Sequence, residues 1–118
     1  MKKLLAIVAI IMLLAAPLFA QDYVRGSGQQ TTDALIVTGP GMFHGIIVST
    51  DSANAVTLDI YDGTTATGTR LVPTITVTTS STDRVQAIKP PGGPALFYTG
   101  LYVDITCAGT AKYVVYFK

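Results

Sequence analysis

The stretch "VTLDIYDGTTATGTRLV", Val56 to Val72, decides the reading of the fold. In its first half Val56, Leu58 and Ile60 alternate with Thr57, Asp59 and Tyr61. A period of two with one apolar face describes a strand buried on one side. A run of Asp, Gly, Thr and Ala follows, and then a second apolar stretch. Two strands around a polar connection make a hairpin. Asp62 and Gly63 supply the turn chemistry: the Asp side chain bonds nearby backbone, and the Gly is expected at positive φ. Calcium is a poor fit to Asp59, Asp62 and Gly63, because the next acid after Asp62 is Asp83 and a calcium loop needs several closely spaced oxygen ligands.

The loop is longer than a tight hairpin requires, so its tip is read as a contact surface. The candidate residues there are Tyr61, Asp62, Gly63, Thr64 and Thr65. Tyr102 and Tyr116 join them because the alternation of their own strands points them outward, and exposed Tyr is enriched at interfaces and in sugar contacts.

The same alternation recurs downstream. Leu101, Val103 and Ile105 oppose Tyr102, Asp104 and Thr106; Tyr113, Val115 and Phe117 oppose Lys112, Val114, Tyr116 and Lys118. Strands are expected near 34–38, 42–49, 55–61, 70–78, 84–88, 95–99, 101–106 and 111–117, with turn chemistry between them. Pro73 lacks an N–H, so its strand is expected at a sheet edge or bulged there. Strong helix formers are scarce and Thr, Val, Ile and Tyr abound. The expected fold is all-β: a small antiparallel β-sandwich or jelly roll of seven or eight strands over residues 34–118.

The first twenty residues differ. Lys2 and Lys3 precede an apolar run of thirteen residues, Leu4–Ala16, and Pro17 ends it. A charged start, an apolar centre and a small residue at the cut describe a secretory signal peptide, with cleavage between Ala20 and Gln21. The run is shorter than the roughly 20 residues of a membrane-spanning helix. The alternative is an uncleaved anchor. Cleavage would leave Gln21–Lys118 in the periplasm or outside the cell, with membrane contact only during export. Residues 21–33, "QDYVRGSGQQTTD", have little apolar content and are expected as a flexible arm or as a segment that orders on a partner.

Without the leader, six Lys and Arg face seven acids, all Asp. Scattered, nearly balanced charge argues against a nucleic-acid partner, which would need a basic patch. Cys107 stands alone, so the fold is expected to have no internal disulfide. His44, the one histidine, lies in "GMFHGII" with no nucleophile motif nearby, and is expected on the outer face of its strand. One His and one Cys cannot close a zinc site. No catalytic residue, metal set or cofactor-binding pattern is read from the sequence.

Three pieces together carry a resemblance: Gly45–Val48, Asp59–Thr69 and Tyr98–Gly109. A "G-I-x-V" strand, an "I-Y-D-G-T" hairpin and a "T-G-L-x-V" strand pair in this order resemble small all-β structural proteins of tailed bacteriophages. The similarity spans residues 38–118. It implies virion structure, such as head decoration or a tail accessory, and no catalytic residues. The N-terminal segment departs from that pattern, since virion proteins assemble without an export signal. The expected function is therefore a non-enzymatic structural or interaction protein, virion-associated or an exported relative, that docks on copies of itself or on a larger assembly. The alternative is a secreted monomeric module binding a glycan or surface polymer.

Overall fold

Among the described residues the alternating stretches become ten strands: β1 Arg25–Gly26, β2 Ala34–Thr38, β3 Gly41–Thr50, β4 Val56–Asp62, β5 Thr69–Arg70, β6 Ile75–Val77, β7 Val85–Ile88, β8 Ala95–Phe97, β9 Gly100–Cys107 and β10 Ala111–Phe117. This computed structural model describes residues 23–51, 54–78 and 85–118. The expected leader and its cut at Ala20–Gln21 lie outside the described residues. Among the described residues there is no helix.

The strands form two antiparallel sheets. The first runs β1-β10-β3-β7, with β8 also paired to β3. The second runs β2-β9-β4-β5, with β6 also paired to β4. One apolar cluster joins them in a sandwich-like arrangement: Phe43, Ile46 and Val48 of β3 share it with Leu58 and Ile60 of β4 and Val103 of β9. All six are essentially out of water. Burying one such side chain contributes about 1.5–3 kcal/mol.

The hairpin read from Val56–Val72 is present, with Tyr61 facing Arg70 and Asp62 facing Thr69. The expected single strand over 70–78 is two short strands instead. Three steps along β4, from Tyr61 to Leu58, correspond to five along the edge, from Arg70 to Ile75. Two residues are looped out at the segment that contains Pro73, whose missing N–H cannot continue a ladder.

The segment read as an arm is laid along the edge of β10. Arg25 faces Phe117 and Gly26 faces Tyr116. Further on, Gln30 and Tyr113 exchange both backbone bonds at 2.9 Å. Buried Tyr113 also donates its hydroxyl to the Thr32 carbonyl at 2.7 Å.

Candidate functional site

The hairpin loop is built around a single carboxylate. Asp62 closes β4 and accepts the backbone N–H groups of Tyr98 (3.0 Å to each oxygen) and Thr99 (2.8 Å), with Gly100 at 3.4 Å. These donors line the turn between β8 and β9. The Thr99 bond is the main cause that holds the Asp62 carboxyl below its ordinary value. Partial burial opposes this, and the Tyr98 and Gly100 bonds add to it. Hydrogen bonds to a charged form favour that form.

Glycines let the chains approach at this end. The Gly63 N–H donates to the Gly100 carbonyl at 3.1 Å. A Cβ on Gly100 would stand 2.9 Å from the Gly63 carbonyl oxygen and 3.0 Å from that of Val37. A Cβ on Gly68 would collide with the Asp62 carbonyl. Gly63 itself does not take the positive φ expected of it. It is buried against Gly68, so its value lies in close backbone approach rather than in turn handedness.

The outer face of the second sheet is mainly polar, with Leu35 exposed beside Tyr102 at its edge. Asp59 faces Asp104 across the β4–β9 ladder. Asp59 accepts the Thr74 hydroxyl at 2.6 Å and lies 3.4 Å from the Arg70 guanidinium. Asp33 accepts the Ile105 N–H at 2.8 Å. Burial is the first cause that raises the Asp104 carboxyl, followed by the charge and hydrogen bond of Asp33, and then Asp59. Among the described residues no group of three or more His, Cys, Asp or Glu is placed to share a metal ion.

The outer face of the first sheet differs. Val114, Ile47 and Ala87 stand side by side across β10, β3 and β7. Ile47 and Tyr116 are each 36% exposed, Val85 61% and Leu96 57%. A groove of about 470 Å³ opens on this face, lined by Val24, His44, Ile47, Ala87, Pro94 and Tyr116 among others. His44 owes its place to a bulge: Tyr116 faces Gly45 and Phe117 faces Phe43, so His44 has no partner in the ladder. Its Nε2 is shut off from solvent and has no hydrogen-bond partner among the described residues.

The residues expected to form one contact surface are divided among three places. Tyr61 is on the outer face of its sheet by alternation, but it is only 8% exposed. The Arg70 guanidinium lies over its ring, 5.8 Å from the centroid, and the expectation of an exposed contact tyrosine is corrected accordingly. Asp62 and Gly63 serve the loop's own architecture. Thr64 and Thr65 remain exposed at the tip, and Tyr102 is half-buried beside Tyr61. Tyr116 lies on the other sheet, beside the groove. Cys107 ends β9, half-buried. The apolar face was missed in the sequence. Its signal was the run "HGIIV", where consecutive Ile46 and Ile47 cannot both point inward in a strand.

Comparison with models of known protein families, with curated proteins and with solved structures gave no match.

Proposed function

We propose that this chain is a non-enzymatic structural component that docks into a larger assembly through the outer face of its first sheet. The observation that carries the proposal is the contrast between the two sheets. One turns Thr57, Thr76, Thr106, Asp59 and Asp104 outward, with Leu35 exposed at its edge; the other turns Val114, Ile47, Ala87 and Val85 outward beside an open groove. An exposed contiguous apolar patch marks an interaction surface.

The jelly roll is the finer class we propose for the fold. The pairs β4·β5/β6, β3·β7/β8, β2·β9 and β1·β10 are nested inside one another and alternate between the sheets. That wrapping supports a jelly roll, an architecture shared by viral capsid and lectin domains. The sharing is an analogy of fold and leaves the role to the surface. The phage-type hairpin and "T-G-L" pieces support a virion-associated role. The basic, apolar and small-residue layout of residues 1–20 supports export, and the proposal includes an exported relative of such proteins.

The test is fractionation of the native source into sedimentable particles and soluble exported material, with intact-mass analysis of the chain in each. The proposal expects the chain in particles, and Ile47→Asp shifts it to the soluble fraction. A soluble monomer whose thermal midpoint rises with added polysaccharide would overturn the proposal in favour of the glycan-binding module.

A further inference from the structure

The segment between Tyr23 and Thr32 is held by bonds that any second copy could supply equally well. Its contacts to β10 are almost all backbone: Ser27 N–H to Val115 O at 2.9 Å, and the two-way pairing of Gln30 with Tyr113. The Val115 N–H donates to the Ser27 hydroxyl at 3.0 Å. Little apolar surface anchors the segment, for Tyr23 is 75% exposed and Val24 47% exposed. Arg25 and Gly26 are exposed as well. Few buried contacts and a hydrogen-bonded edge are the signature of a low local opening free energy.

Lifting the segment would bare the donors and acceptors of Tyr113 and Val115. An open edge of that kind is a template for another extended chain. The edge is selective, however. From Gly26–Tyr116 to Gln30–Tyr113 the segment advances four residues and β10 only three. The extra residue is accommodated where Gly28 takes φ +75 and Ser27 offers its hydroxyl in place of a ladder carbonyl. A partner strand must reproduce a hydroxyl followed by a left-handed glycine. The chain that does so is this chain. The connection over 31–33 then passes from β10 of the first sheet to β2 of the second, and the segment swings out there once the Tyr113 hydroxyl releases the Thr32 carbonyl.

We propose that two copies exchange these segments, each laying residues 23–30 on β10 of the other and making the backbone bonds seen within one chain. Such an exchange is a low-cost route to a dimer. The inference rests on the assembly reading above and names one contact by which copies join.

The experiment mixes uniformly 13C,15N-labelled native chain with unlabelled chain, after partial denaturation and refolding together at high concentration. Isotope-filtered NOEs are then recorded on the dimer fraction. Exchange predicts intermolecular NOEs between Ser27 and Val115 and between Gln30 and Tyr113. Dimers whose intermolecular NOEs fall at Ile47 and Val114, with the Ser27–Val115 contact confined to one chain, would overturn the exchange and leave the assembly reading intact. A chain that remains monomeric throughout would also overturn the exchange, whereas the assembly reading would fall only if the chain is missing from particles as well.

Discussion

The Asp62 carboxylate reaches the Thr99 N–H at 2.8 Å across 37 positions of sequence. This bond ties the end of β4 to the turn that starts β9. The "IYDGT" and "YTGL" stretches are halves of one contact. The Asp faces backbone donors, which explains why the loop begins with a carboxylate.

Asp62→Ala is expected to destabilise the fold by about 2–3 kcal/mol, because it strips acceptors from N–H groups that bond a charged partner. Asp62→Asn keeps one oxygen and should lose roughly half as much on the same grounds. Urea titration of the three proteins measures both, and a loss within error for Asp62→Ala would show that the turn holds itself.

Acid should act on this contact in a defined direction. The folded Asp62 carboxyl sits below its ordinary value of 3.8. Its contribution is therefore complete above that pH and disappears as pH falls through the folded value. The stability difference between wild type and Asp62→Asn should be flat above pH 3.8 and shrink below it, as read by thermal melts along a pH series.

Asp104 has the opposite sign. Its folded carboxyl is raised above 3.8 by burial, then by Asp33 and Asp59. Holding the proton favours the fold at low pH, and this contribution is lost as pH rises through the folded value. Like charges opposite one another on a ladder destabilise by up to about 1 kcal/mol, so Asp104→Asn should raise the melting temperature at neutral pH. The gain should vanish below pH 3.8. A lower melting temperature at neutral pH would show that the charged form accepts a bond that the amide cannot replace.

Tyr113→Phe removes the hydroxyl that donates to the Thr32 carbonyl at 2.7 Å. The expected loss is about 1 kcal/mol of global stability. Hydrogen exchange at the Gln30 amide should accelerate more than that at core amides such as Val103, because the pinned segment opens locally. Equal acceleration at both would place the effect in the core instead.

Much of the fold was legible because its strands are half-buried and alternate cleanly. Val56–Tyr61, Leu101–Thr106 and Ala111–Phe117 show their inward faces in every second residue, and the structure buries Leu58, Val103 and Val115 as that pattern requires. The division of residues 69–77 was only partly legible. Pro73 marks an irregularity, but the number of residues looped out depends on how β6 finds β4 again. The docking of Ser27 and Gln30 on β10 left no apolar signature, since backbone bonds hold it. Tyr61 was misjudged for a related reason: alternation tells which face a residue takes, not whether a cross-strand arginine covers it.

The most direct test of the docking face is sedimentation velocity of purified wild type and Ile47→Asp from low to high micromolar concentration. Ile47 is already 36% exposed, so the substitution should leave the fold intact, which circular dichroism would verify. The account predicts concentration-dependent association of the wild type beyond any segment-exchanged dimer, and loss of that further association in Ile47→Asp. Association of equal strength in both proteins would contradict the assignment of the contact to the apolar face of the first sheet.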